Sequence, residues 1–555
     1  GGLPRVTYSD FATGSNQRAN IAAINESAGG IVLRDGAVLK AAEVFLVTAR
    51  KDDGIILEQG SGINTLGRGK AAWDSRDGYV YEPMGSVLAV SNGWLDMLPA
   101  APPSSESYGP GIIDIGACQK AGGACSGSTS LYSEGTIAAV TERAFTLRDN
   151  VRYGTRNLVL AMGAINVGSE ASLADASARG ALPDGLALNQ GVLDRLLRGD
   201  TSTGAPALES LGLTARNSFN FYDSSQLSTI DAATGKSSLS RLVLNTPAIY
   251  GYGGADALAR IHTDTLVWQG ATNAPGAVVA NGPGTGSGRL QVDARRIEFG
   301  FTPDSRPDTI HKLDRLVLGF GQVALNASEQ LTANNKGSLS VYQSQSAWDT
   351  ATNGYRYSGG DLLINTPLLT GAAGSVNRIT AGGDLKVSAP AGAAAAPPTN
   401  AALAGALGAE VALSGNNVSV DTSVVLPSGK LTLSAERDVL LGDKAKLDLA
   451  GRKIDFYDTS KYSWGGDVIL DSRAGDVRQA AASVIDVSAV NNRAGKLSVI
   501  ATGDAAGMAD LRGSLLGGAS GHYDAGGTQV AYAAGGVELR AQHVGDFAGL
   551  NQRLN

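Results

Sequence analysis

Gly429-Lys430-Leu431-Thr432-Leu433, then Val439-Leu440-Leu441 and Leu447-Asp448-Leu449, is the stretch whose reading decides the fold. Its three apolar runs start at eight-residue intervals, residue 439 following 431 and residue 447 following 439. Each run is too short for a stable helix but suits a strand. Period-2 alternation puts Leu431 and Leu433 on one side and Thr432 on the other. Three strands joined by turns make a triangular coil of roughly 25 to 30 residues, and such a coil buries its inner face only by stacking on another.

Working outward, the same grammar returns. Gly359-Gly360-Asp361-Leu362-Leu363-Ile364, Gly382-Gly383-Asp384-Leu385-Lys386-Val387, Gly465-Gly466-Asp467-Val468-Ile469-Leu470 and Gly495-Lys496-Leu497-Ser498-Val499 each place a glycine doublet or Gly-Lys before an alternating strand. Leu242-Val243-Leu244-Asn245-Thr246-Pro247 is echoed 120 positions later by Leu362-Leu363-Ile364-Asn365-Thr366-Pro367, which suggests a higher repeat of several coils. Ser218-Phe219-Asn220-Phe221-Tyr222-Asp223-Ser224 is echoed by Ile454-Asp455-Phe456-Tyr457-Asp458-Thr459-Ser460. The pattern predicts an all-β, three-faced parallel solenoid with loop and short-helix insertions.

Composition agrees. The 555 residues include 74 glycines but only 10 Phe, 5 Trp and 4 Met, so bulky fillers for a wide core are scarce. Small apolar residues with glycine corners suit a narrow core that repeats along an axis. Charged residues are 17% of the chain and the net charge is -7, which leaves no basic footprint for nucleic acid. No apolar run is long enough for a transmembrane helix. The opening Gly1-Gly2-Leu3-Pro4 reads as the start of an internal or processed piece of something longer.

Three segments break the rhythm. Proline-rich residues from Leu98 lead into a Gly/Ser-rich stretch, predicting an insertion at about 98–130. A second insertion is expected at 171–211, where Val192-Leu193-Asp194-Arg195-Leu196-Leu197 has the spacing of a short amphipathic helix. Residues 389–409 are Ala/Pro-rich and read as a loop or linker. The chain therefore divides into a β-helix segment at 1–388, this linker, and a second β-helix segment at 410–555.

Few residues carry chemistry. Cys118 and Cys125 are the two cysteines: they are either free thiols or a local disulfide, and the second points to an oxidising, extracellular setting. Neither they nor His262, His311, His522 and His543 have metal-ligand spacing, and no cofactor motif occurs. Asp52 with Asp53, or Asp455 with Asp458, could serve as paired carboxylates for cleaving sugar chains, but 52 acidic residues generate such pairs by chance. The more informative residues are Trp73, Tyr79 and Tyr81 within Trp73-Asp74-Ser75-Arg76-Asp77-Gly78-Tyr79-Val80-Tyr81, and Tyr462 and Trp464 within Lys461-Tyr462-Ser463-Trp464. Aromatic faces beside polar groups hold sugar rings; the same rings could instead cap a coil or pack a loop onto it.

With Phe456-Tyr457-Asp458-Thr459-Ser460, Trp464-Gly465-Gly466-Asp467-Val468 and the Leu-x-Leu-Ser-Ala strands around them, the chain resembles the filamentous-haemagglutinin-like exoproteins secreted by two-partner systems of Gram-negative bacteria. The resemblance implies a right-handed parallel β-helix, exported through an outer-membrane transporter and secreted or held at the cell surface. It further implies an adhesin, not an enzyme, whose multivalent contacts with glycans, exopolysaccharide or a host or bacterial cell surface serve attachment, aggregation or biofilm formation. No Asn-Pro-Asn motif of that family's secretion domain is present, which would place this piece downstream of it. A polysaccharide-degrading β-helix enzyme and a passive stalk for a distal toxin or effector module are the alternative expectations.

Overall fold

The computed structural model describes residues 7–10, 15–17, 30–48, 53–97 except 78 and 84, 109–300, 312–392, and 406–554 except 505. It is all-β, with parallel strands stacked as the coils of a β-helix and three short helices among the described residues: α1 (Glu170–Ala178), α2 (Gln190–Arg198) and α3 (Phe547–Leu554). The chain divides into two compact units, the first built mainly from residues 1–253 and 258–285, the second from 286–303 and 309–555.

The second unit shows the three faces plainly. On its first face Glu410–Gly415, Lys430–Ala435, Asp467–Ser472, Lys496–Ala501 and Gly536–Ala541 lie parallel in unbroken register. Val418–Asp421, Val439–Leu441, Val477–Gln479 and Met508–Leu511 make the second face, and Ser423–Val425, Lys446–Asp448, Val484–Asp486 and Ser514–Leu516 the third. Alternation sends Leu431, Leu433, Leu470 and Val499 fully inside while Thr432 faces outward. Each such buried side chain contributes about 1.5 to 3 kcal/mol, so the repeat stabilises itself coil by coil.

Glycine is required where coils approach closely. Gly429, Gly466 and Gly495 each precede a first-face strand, and a Cβ on any of them would collide with a carbonyl oxygen of the coil below: that of Ala409, Gly429 and Gly466 respectively. The other glycine doublets sit elsewhere. Gly359-Gly360 and Gly382-Gly383 precede second-face strands, so one sequence pattern serves two different corners. The Asn-Thr-Pro echo is likewise a corner device: Thr246 and Thr366 are both buried, and each hydroxyl donates to the carbonyl two residues on, at 2.9 and 3.2 Å.

Residues 389–409 fall inside the second unit. Val376–Ala381 pairs with Glu410–Gly415, and Leu385–Ser388 with Val418–Asp421, while Leu368–Gly371 pairs directly with Ser423–Val425. Among the described residues no third-face strand falls between Leu385–Ser388 and Glu410–Gly415; residues 393–405 lie outside the described residues.

In the first unit Ile31–Leu33, Ile55–Glu58, Ile113–Ala117 and Phe145–Leu147 form one parallel face, and Val38–Lys40, Gly62–Asn64, Thr129–Tyr132 and Val151–Gly154 another. Ile113–Ala117 lies within 98–130 and Thr129–Tyr132 begins at its end, so the part of that stretch that leaves the stack is shorter than the sequence suggests. Residues 98–108 lie outside the described residues, and a disulfide joins Cys118 to Cys125 between the two strands, with Cα atoms 5.7 Å apart.

The third face of this unit departs from a purely parallel pile. Ser86–Ser91 runs antiparallel to both of its neighbours, Glu43–Thr48 and Thr136–Val140. The chain leaves the stack after Asn64, passes through Trp73 and a turn at Ser75–Asp77, and re-enters in the opposite sense. Both sides of the reversed strand are buried: Val87 and Ala89 pack with Ala138, Val140, Val159 and Ala161 under Leu95 and Met97.

The insertion at 171–211 holds two helices where the spacing indicated one. Asn189 caps α2 by accepting the Val192 N–H at 3.0 Å, and Leu193 and Leu196 are buried. Ser169 caps α1, which lays Leu173 and Ala176 against Tyr222. Between them Gly185–Leu188 adds a parallel strand beside Ala164–Val167.

Candidate binding surface

Among the described residues of the second unit, three antiparallel hairpins leave the coils, and each carries exposed aromatic rings. The strands of each hairpin pair only with each other and form a two-stranded sheet apart from the stacked faces. Lys453–Phe456 pairs with Thr459–Tyr462. Tyr457, at φ 50°, forms its turn and is fully exposed; Phe456 is half-exposed, with Lys461 5.9 Å from its ring centre. At its base Ser428 Oγ donates to the Trp464 carbonyl at 2.6 Å, which fixes the backbone while the Trp464 ring stays 46% exposed. Tyr462 is partly buried.

His522–Asp524 and Gln529–Ala531 form the second hairpin, with Tyr523 and Tyr532 5.4 Å apart. Both hairpins leave between a third-face and a first-face strand. One plain corner separates them: Asn492 Nδ2 donates to the Tyr462 carbonyl at 2.9 Å, and Ala494 N–H to the Ala533 carbonyl at 3.0 Å. Two coil steps of ~4.8 Å place the two aromatic groups on the order of 10 Å apart along the stack.

The third hairpin joins Ser344–Gln345 to Tyr357–Ser358. Tyr342 stacks on Tyr357 at 4.9 Å and 19°, while Trp348 meets Tyr355 edge-on at 4.9 Å. Asp349 accepts the Ala351 N–H at 2.9 Å and pairs with Arg356 at 3.3 Å. Burial pushes the Tyr342 and Tyr357 hydroxyls above their usual range, so both stay neutral donors.

In the first unit Trp73 is 43% exposed. Burial would raise the Asp74 carboxyl, yet hydrogen bonds from the Arg76 side chain and from the Arg76 and Trp94 N–H groups outweigh it and hold the group below its usual range. Tyr79 and Tyr81 lie on Tyr79–Glu82, which pairs antiparallel with Thr7–Asp10; their side chains lie outside the described residues. Of the five aromatic residues singled out from sequence, Tyr462 and Trp464 belong to one hairpin base, and Trp73 belongs to the other unit.

Sequence reasoning missed Trp348, Tyr355, Tyr357, Tyr523 and Tyr532. A signal for the first three was present: Trp348-Asp349…Gly354-Tyr355-Arg356-Tyr357 repeats Trp73-Asp74…Gly78-Tyr79-Val80-Tyr81 with one added residue. Of the carboxylate pairs, Asp52 lies outside the described residues, and Asp455 is engaged by Ser460 and, at 3.1 Å, by Lys453, which hold its carboxyl low. Among the described residues no group of three His, Cys, Asp or Glu side chains gathers as a metal site, and no helix is long and apolar enough to cross a membrane. A scan against known protein families finds no match, and comparisons with curated proteins and with solved structures find none either.

Proposed function

We propose that this chain is part of an extracellular adhesin, secreted or held at the cell surface, that attaches to glycans or exopolysaccharide through ring-bearing hairpins on a β-helix scaffold. The observation that carries the reading is the pair of hairpins at one corner of the second unit, two coils apart, with Phe456, Tyr457, Trp464 and Tyr523 exposed. Exposed rings cost solubility and contribute nothing to the core; held on rigid coils, they offer flat faces for sugar rings. Several weak sites on one scaffold add through effective concentration, which suits attachment to a polymer or a cell. The Cys118–Cys125 disulfide fits an oxidising compartment. The resemblance of the Phe456–Ser460 and Trp464–Val468 blocks to filamentous-haemagglutinin-like exoproteins supports the same reading, with export through an outer-membrane transporter.

The test replaces 453–462 and 522–531 with turns copied from the plain corner at 487–495, which these coils already tolerate. Binding on a glycan array and attachment to cells or biofilm matrix are expected to fall while the β-sheet circular dichroism signal is kept. Unchanged attachment in the doubly trimmed chain overturns the proposal. Release of reducing sugars from exopolysaccharide would favour an enzyme instead.

A further inference from the structure

Trp73 and Trp348 stand in separate units, yet their surroundings match in chemistry. Each is about half exposed and is followed by an aspartate whose side chain is mostly buried, 9% exposed for Asp74 and 20% for Asp349. Each aspartate closes a local turn by accepting the N–H two residues on, from Arg76 at 3.0 Å and from Ala351 at 2.9 Å. Each also holds an exposed arginine, Arg76 through Nε at 2.8 Å and Arg356 at 3.3 Å. The arginine comes from two residues on in one case and seven in the other, so the geometry is shared although the spacing is not. In both places the aspartate closes the turn that carries the indole.

Resting on the reading of the chain as a glycan-attachment protein, we propose that the Trp73 and Trp348 turns are two copies of one binding element for a neutral hexopyranose chain. The indole takes the C–H face of a sugar ring, and the neighbouring guanidinium donates to ring hydroxyls. Because each arginine is matched by its aspartate, the element presents N–H donors without net charge, which suits hydroxyls over carboxylates or sulfates. This element is separate from the corner hairpins at 453–462 and 522–531.

Calorimetry on the full chain tests it, with neutral gluco-, manno- and galacto-oligosaccharides against polygalacturonate, each at low and high salt. The wild type is expected to bind a neutral oligosaccharide at two sites with little salt dependence. Trp348→Ala and Trp73→Ala are each expected to lower the stoichiometry from two to one, or to weaken the affected site on the order of tenfold, about 1.4 kcal/mol. The double variant is expected to lose binding while keeping the β-sheet signal; if Trp73→Ala does not fold, the stoichiometry of Trp348→Ala decides alone. Neutral binding retained in the double variant, no neutral binding by the wild type, or binding confined to polygalacturonate and abolished by salt each overturns the proposal. Cell attachment that survives in the double variant but is lost on trimming the corner hairpins would overturn this element and leave the attachment reading standing.

Discussion

Asp438 Oδ1 accepts the backbone N–H of Asp476, one coil further on, at 2.9 Å. The bond is one rung of a ladder: Asp361 receives Asp384 at 2.8 Å, Asp384 receives Asn417 at 3.1 Å, Asn417 receives Asp438 at 3.1 Å, and Asp476 receives Met508 at 2.9 Å. Each acceptor stands at or just before the start of a second-face strand, where the chain bends and a backbone carbonyl no longer faces the coil above. A short side-chain acceptor satisfies the N–H that the bend leaves behind.

Asp438→Ala removes one rung and is expected to cost about 1 kcal/mol, within the range for a lost side-chain cap of a backbone N–H. Asp438→Asn keeps an acceptor, as Asn417 does naturally, and is expected to cost much less. Urea denaturation of the two variants checks the order.

Leu433→Ala empties a fully buried inward position and is expected to lose about 2 to 5 kcal/mol. Leu440, which points outward from Val439–Leu441, should tolerate alanine within about 0.5 kcal/mol. Equal losses in a denaturation experiment would contradict the assignment of inner and outer faces.

Gly466→Ala drives a methyl into the Gly429 carbonyl and is expected to destabilise by roughly 1 to 3 kcal/mol. Gly536→Ala has room, its nearest neighbour being Lys496 at 4.0 Å, and should change stability by no more than about 0.5 kcal/mol. Thermal midpoints of the pair measure how much the close stacking of coils depends on glycine.

Burial pushes the Glu43 carboxyl above its ordinary 4.5; hydrogen bonds from Ser91 and the Trp73 backbone oppose the rise, and the charge of Asp74 adds to it. A raised carboxyl favours the neutral form in the folded state, so its stabilisation is complete below pH 4.5 and is lost as pH climbs through the folded value. Glu43→Gln is therefore expected to be more stable than wild type at neutral pH, with the difference closing as pH falls below 4.5. Midpoints followed across that range test the sign, and a gap that widens on acidification would refute it.

Much of the scaffold was legible because its signals are local. Leu431 and Leu433 against Thr432 announced an inner and an outer face, and the Val192–Leu197 spacing announced α2. The reversal at Ser86–Ser91 was not legible, since a strand buried on both sides reads the same in either direction. Site residues were legible only in part. Phe219 and Phe221 are buried, whereas Phe456 and Tyr457 in the echoing segment stand in solvent. The first segment lies on Ser210–Tyr222 with a parallel neighbour on each side, and the second spans the turn of a hairpin and the ends of both its arms.

From sequence alone came the unit of construction: period-2 alternation, small apolar fillers and glycine before strands, all set by neighbours one or two residues apart. Tertiary structure decided which strands meet, which corner each glycine doublet occupies, which strand runs backward and which aromatic rings are left outside. Those outcomes depend on partners tens of residues away, and near-identical short segments take opposite fates according to whether a coil lies on either side of them.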